Sequence, residues 1–197
     1  VTSRRQALLA LLQDDDADVR RTAAEALDRL DLLEGLSQAL RMIAYAVPGE
    51  WVGLLRGLEG VRDEAALRVS VRALGHDDEG VRLAALGVLE AHRDWRTTPR
   101  VVERLSDPSP LVRARAAEVL GSLGDRRGGG PLESLLEDPD PEVRRAAVQA
   151  LGLLGHRPAE PRVVAMTRDP AAMVRAAAAD ALGRLGLTAD GTGSRGG

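Results

Sequence analysis

Along this chain the apolar positions repeat in a frame that resets every 31 residues. Stepping from Leu27 by that interval reaches Leu58, Leu89, Leu120, Leu151 and Leu182 without an insertion or deletion. A second column runs Val19, Glu50, Val81, Val112, Val143 and Val174, and a third runs Ala23, Leu54, Ala85, Ala116, Ala147 and Ala178. Within each repeat these columns stand at i, i+4 and i+8, with a further apolar column at i+11, which is one face of an α-helix. The small third column lets neighbouring helices approach closely. A fixed period of this length marks a stacked array of supersecondary units, so the pattern predicts an all-α solenoid of about six 31-residue units and about twelve helices.

Local signals bound the helices. Asp107-Pro108, Asp138-Pro139 and Asp169-Pro170 precede the amphipathic segment, where Asp caps a helix or orders the turn before it and Pro supplies a compatible φ. Leu-Gly-x-Leu-Gly at 120–124, 151–155 and 182–186 closes it, the last Gly being suited to a left-handed cap. A second helix is predicted to follow in each unit, as in Arg100–Leu105, Leu132–Leu136 and Val163–Met166. By register the chain opens with a lone second-type helix near Ser3–Leu12 and ends with a lone first-type helix near Ala171–Leu185. Neither end carries an obvious cap, so an exposed end is a site either for self-association or for further chain. The array is expected over residues 1–187, followed by a disordered Gly-rich tail at 188–197.

The run Asp-Pro-x-x-x-Val-Arg-x-x-Ala-x-x-x-Leu-Gly-x-Leu-Gly resembles the phycobilisome-lyase subtype of HEAT repeat, and the resemblance covers about residues 3–186. It implies a right-handed superhelix in which the first helix of each pair lies on the convex side and the second lines a concave groove. It implies little about activity, because this scaffold serves unrelated roles.

Composition narrows the chemistry. With 2% aromatic residues and no Phe, the core must be built from Leu, Val and Ala. The absence of Cys removes disulfides and thiolate chemistry, and all 27 basic residues are Arg. A net charge of -3 makes nucleic acid an unfavoured partner, and no apolar run approaches a membrane span or a signal peptide. The chain therefore reads as a soluble, cytoplasmic protein without a cofactor.

Four groups of residues invite a functional reading. The column Arg20, Arg82, Arg113, Arg144 and Arg175 could bind anions, but bidentate arginines beside the turn acids Asp107, Asp138 and Asp169 fit a structural tie between repeats better. A second set, Arg41, Arg68, Arg72, Arg96, Arg100, Arg126, Arg127 and Arg162, falls on the second-helix side, while most acids fall in the turns. That distribution predicts a basic groove for an acidic protein or peptide, with Trp95 and Glu103 beside it; the competing reading is an ordinary solvated face. The second repeat replaces the usual residues with Tyr45, Glu50 and Trp51, and His76 follows in the Tyr45 column. These rings form either an aromatic contact site or a filling for lost pairings. Lastly, Gly128-Gly129-Gly130 after Arg126-Arg127 is read as a flexible turn, with anion binding as its alternative.

Catalysis and metal binding find little support. His92, Asp94 and Trp95 cluster before a helix without the remainder of a catalytic constellation, and are read as a packed turn. The His-Glu dipeptides of HEAT-type di-iron hydroxylases are absent, since His76, His92 and His156 are followed by Asp77, Arg93 and Arg157. The function expected is a non-enzymatic scaffold holding a protein or peptide along the concave face. The alternatives are a nucleic-acid protein related to HEAT-like DNA glycosylases, and a lyase or biosynthetic accessory acting on a small molecule or peptide.

Overall fold

The computed structural model describes residues 4–42 and 47–190, apart from the side chains of 29, 31–42 and 187–190. The described residues form eleven α-helices and no strand, in two compact units, residues 1–47 and 48–197. In the first unit, α1 (Arg4–Leu11) packs on α2 (Ala17–Met42). Helix α2 runs unbroken through the position where a turn was expected because its residues 27–31 read Leu-Asp-Arg-Leu-Asp. Neither glycine of Leu-Gly-x-Leu-Gly is present to end it.

The second unit has two layers. First helices α3 (Pro48–Leu58), α5 (Glu79–His92), α7 (Pro110–Leu123), α9 (Pro141–Leu154) and α11 (Ala172–Asp190) pack in series. Second helices α4 (Glu64–Ala73), α6 (Thr98–Val102), α8 (Gly129–Ser134) and α10 (Glu160–Met166) each pack on the first helix that follows. The last three are short and are lengthened by 3-10 turns such as Trp95–Thr97 and Arg126–Gly128. Helix α11 continues to Asp190, three residues past the expected tail boundary at 187, and the rest of that tail, 191–197, lies outside the described residues.

Termination follows the glycine column. Helices α7 and α9 end at Gly124 and Gly155, with φ of 70° and 60°. Helix α5 ends at Arg93 in the same register, with φ of 51°, a conformation that costs a residue bearing a Cβ about 1–2 kcal/mol. At the helix starts the acids have the second of their two anticipated roles. Asp107, Asp138 and Asp169 order the turn by accepting from the N–H groups of Ser109, Asp140 and Ala171 at 2.8–3.0 Å. Ser109 and Asp140 are the caps, and Pro110 and Pro141 stand in the first helical turn.

The leucine column is the core: Leu58, Leu89, Leu120 and Leu151 are buried, as are Val81, Val112, Val143 and Val174. The first Gly of the Leu-Gly-x-Leu-Gly runs at 120–124 and 151–155 sets the distance between neighbouring first helices. A Cβ on Gly121 would lie 3.0 Å from the Cα of Ala150, and one on Gly152 would lie 2.8 Å from the Cα of Ala181. Between α5 and α7 the same column holds Glu90, which instead pairs with Arg115 at 2.5 Å and accepts from Ser122.

The arginine column ties repeats together. Arg82 grips the Asp107 carboxylate through Nε and Nη2 at 2.8 and 2.9 Å, while its Nη1 donates to the carbonyls of His76 and Asp77. Arg113 and Arg144 repeat this arrangement on Asp138 and Asp169, each 25 residues ahead. In the divergent repeat the same two register positions hold Trp51 and His76, whose rings meet edge to face at 5.6 Å. An aromatic pair has replaced the ion pair.

Candidate functional site

Helices α4 and α6 project four of the anticipated arginines into one cleft. Arg68 and Arg72 come from α4, Arg96 from the 3-10 turn and Arg100 from α6, around a depression of about 540 Å³ floored by Leu67 and Val71. The helical spacing explains the grouping: Leu67, Arg68, Val71 and Arg72 share one side of α4, while Ala66, Val69, Ser70 and Ala73 turn into the core.

The arginines are interleaved with acids, so the expected separation of charge onto different surfaces does not occur here. Arg68 pairs with Glu64 at 3.4 Å, and Arg100 with Glu103 at 2.9 Å. Arg96 is clasped by Asp94, which also accepts from the Arg96 N–H. One repeat later Asp125 holds Arg127 through the same contacts. The hydrogen bonds from Arg127 keep the Asp125 carboxyl at about 2, and those from Arg96 lower Asp94 likewise. Arg162 pairs with Glu133 and Glu137. Among the described residues Arg72 alone of the cleft arginines has no carboxylate partner.

Beside the cleft, Trp95 is 58% exposed, so the turn containing His92, Asp94 and Trp95 does not bury its ring as expected. Asp94 caps the turn by accepting from Arg96 instead of packing the indole inward. The Arg127 guanidinium lies 5.0 Å from the Trp95 ring centroid and donates to the Trp95 carbonyl at 3.3 Å. Despite this cation–π contact, Trp95 and the Arg127 side chain both stay more than half exposed. The sequence signal for both clasps was the Asp-x-Arg repeat at 94–96 and 125–127, which the separate treatment of acids and arginines missed.

Two other anticipated sites are structural. Trp51 is 4% exposed and fills the ladder position against His76, so it is withdrawn from any surface contact; Tyr45 lies outside the described residues, as does the side chain of Arg41. Gly128 ends a 3-10 turn, and Gly129 and Gly130 open α8. Gly128 packs on Leu120 at ordinary contact distance, whereas a Cβ on Gly129 would fall 2.2 Å from Nδ1 of His156, so Gly129 makes room for that ring. His156 in turn contacts Glu133 at 3.0 Å. Among the described residues no group of three metal-ligating side chains converges, and no helix is long and apolar enough to cross a membrane.

Comparison with known proteins agrees with this architecture. Residues 70–129 and 129–191 match the family model described as HEAT repeats, and residues 5–31 match a single HEAT repeat. No curated protein matches the sequence. Among solved structures, the complex of CpcE and CpcF of phycocyanin lyase from Nostoc sp. PCC7120 superposes with a TM-score of 0.62 at 21% identity, over 95% of this chain and 66% of that one. Human deoxyhypusine hydroxylase in complex with glycerol gives 0.56 at 20% identity, over 93% and 62%. A designed armadillo repeat protein in complex with the peptide (KR)4 gives 0.58 at 18% identity, over 93% and 100%. At these identities the likeness is one of fold.

Proposed function

The chain belongs to the HEAT-repeat family, and from that premise we propose that it is a non-enzymatic, cytoplasmic scaffold that holds an acidic protein or peptide segment along its second-helix face. The observation that carries this reading is the cleft itself. Leu67 and Val71 offer apolar contact, Arg72 offers an uncompensated guanidinium, and Arg68, Arg96 and Arg100 can exchange exposed intramolecular partners for a ligand's carboxylates. Exposed pairs of this kind contribute about 0–1 kcal/mol to the fold, so the exchange costs little. Trp95 with Arg127 adds an aromatic and guanidinium anchor of the type that dominates binding hot spots.

The net charge of -3 weighs against the nucleic-acid alternative, because a phosphate backbone is held by a surplus of cations. The lyase alternative draws on likeness of fold alone.

Affinity capture with the wild-type chain and with an Arg68→Glu, Arg72→Glu, Arg100→Glu variant tests the proposal, with captured segments then resynthesised and titrated. The variant is expected to lose partners that the wild type retains. Identical partner sets would sink the reading, and steeply salt-dependent binding of duplex DNA would replace it with the nucleic-acid one.

A further inference from the structure

The turns between the two helices of a repeat carry a row of their own. Trp95, Arg126 and Arg157 stand 31 residues apart, and each opens a 3-10 turn, at Trp95–Thr97, Arg126–Gly128 and Arg157–Ala159. Each turn lies in the chain between two described first helices: α5 and α7, α7 and α9, and α9 and α11. Packed helices sit about 10 Å apart, which sets the spacing of the row. In the first two turns an acid precedes the row and clasps the arginine that follows it, Asp94 on Arg96 and Asp125 on Arg127. In the third turn the same two positions hold His156 and Pro158, and His156 contacts Glu133 through Nε2 instead of capping the turn. The clasp is therefore missing where the row reaches Arg157.

The loss of that acid leaves a cationic pocket. Arg126, Arg157 and Arg184 surround a cavity of about 610 Å³ walled by Leu153 and Pro158, and no acidic residue lines it. The cleft between α4 and α6, by contrast, includes Glu64 and Asp94 in its lining. Neither Arg126 nor Arg157 has a side-chain hydrogen bond or ion pair among the described residues, and both are exposed. Arg184 donates from Nε to Asp180 at 2.8 Å, and its Nη groups hold no carboxylate among the described residues. Three guanidiniums against the one Asp180 carboxylate leave a local surplus of two positive charges. A carboxylate ligand would neutralise one of them. A phosphate monoester carries about −1.5 to −2 at neutral pH and accepts from several N–H groups at once, which matches the surplus and suits planar guanidinium donors. The cavity falls in the range of about 300–1,000 Å³ that holds larger ligands than a bare ion, and exposed Leu153 offers apolar contact beside the charge.

We propose that Arg126, Arg157 and Arg184 form a site for the phosphoryl group of a phosphorylated partner protein, whose chain follows the row toward Trp95. A protein segment fits better than a nucleic acid, because the surplus is confined to one pocket, whereas a phosphate backbone is held by cations repeated along its length. The site shares none of Arg68, Arg72 and Arg100 with the cleft, so the two can fail separately.

Fluorescence anisotropy with labelled degenerate peptide pools, bearing phosphoserine, serine or glutamate at one central position, reads the outcome for the full chain. The phosphorylated pool is expected to bind at least ~10-fold more tightly than either of the others. Arg126→Glu combined with Arg157→Glu should abolish that preference. It should retain the thermal midpoint and helical circular dichroism, since both side chains are exposed and unbonded. The Arg68→Glu, Arg72→Glu, Arg100→Glu variant should keep the preference, whatever becomes of the cleft. Equal binding of the three pools by the wild type, or a preference that survives in the double variant, would overturn the proposal. So would phenyl phosphate binding as tightly as the phosphorylated pool, which would make the ligand a small phosphate ester. Tighter and steeply salt-dependent binding of a single-stranded oligonucleotide would put a nucleic acid in place of the protein.

Discussion

Replacing Asp107 with Ala tests whether the ladder couples adjacent repeats energetically. The Asp107 side chain is 0% exposed and that of Arg82 is 8% exposed. The substitution removes both bonds of the bidentate pair and the acceptor of the Ser109 N–H. Breaking a buried pair from one side costs about 3–5 kcal/mol, because the remaining charge stays desolvated. Arg82 keeps its bonds to the His76 and Asp77 carbonyls, which places the loss near the lower end, about 3 kcal/mol. For a chain of this size that corresponds to a fall of about 6–12 °C in the thermal midpoint. Calorimetry of Asp107→Ala, Arg82→Ala and the double variant completes a cycle in which the single losses should fail to add by about 2 kcal/mol. Hydrogen exchange should accelerate first where α5 meets α7, since repeats contact only their neighbours. A loss below about 1 kcal/mol, or simple additivity, would refute the coupling.

Three further outcomes follow from the same geometry. Trp51→Arg alone should destabilise by about 2–4 kcal/mol by burying a charge opposite His76, and adding His76→Asp should recover most of the loss; urea titration of both variants decides this. Gly152→Ala should cost about 1–3 kcal/mol by forcing α9 from α11, whereas Gly183→Ala, facing open space, should gain about 0.5–1 kcal/mol of helix propensity; equal effects in thermal melts would contradict the packing argument. Asp94, Asp125, Asp138 and Asp169 all have lowered pKa values, with Asp125 at about 2 under its Arg127 hydrogen bonds. For Asp138, burial is the largest single influence and raises the value, but the Arg113 hydrogen bonds, the Asp140 N–H and the charges of Arg113 and Arg144 together outweigh it. Because the folded values are depressed, the stabilisation is present above the unfolded value of about 3.9 and is lost as pH falls through the folded values. The thermal midpoint should therefore be level between about pH 5 and 7 and drop between about 4 and 2, less steeply in Asp125→Asn; a rise on acidification would be incompatible.

The sequence made the helical frame legible because burial in a stacked array acts on fixed register positions. Leu58, Leu89, Leu120 and Leu151 share one environment, and the period alone located them. The Arg82, Arg113 and Arg144 ties were equally readable, since a bidentate donor and a turn carboxylate recur at constant separation. The merger of two expected segments into α2 was present in the missing glycines at 28 and 31 but was overridden by the count of repeats. The candidate cleft was read less well. Arg68, Arg72, Arg96 and Arg100 line one cleft, but the clasp of Asp94 on Arg96, which depends on side-chain rotamers within a two-residue turn, offsets part of their charge. The turn of His92, Asp94 and Trp95 was read as packed and Trp95 was also placed beside the groove; its ring is exposed, and its carbonyl and ring serve Arg127 of the following repeat.

The ladder also makes the two edges of the second unit mechanically unequal. Each guanidinium fastens two consecutive turns at once, along an edge shielded from water and hence from screening by salt. The second-helix edge carries more exposed pairs, some within one repeat, as Arg96 with Asp94 and Arg100 with Glu103, and some between repeats, as Arg162 with Glu137 and Arg127 with Trp95. Bending should then pivot on the arginine edge as on the spine of a book, opening or closing the spacing between α4, α6 and α8 while the pitch along the spine stays constant. A long guest could be accommodated by many small rotations about that line, without breaking a buried bond.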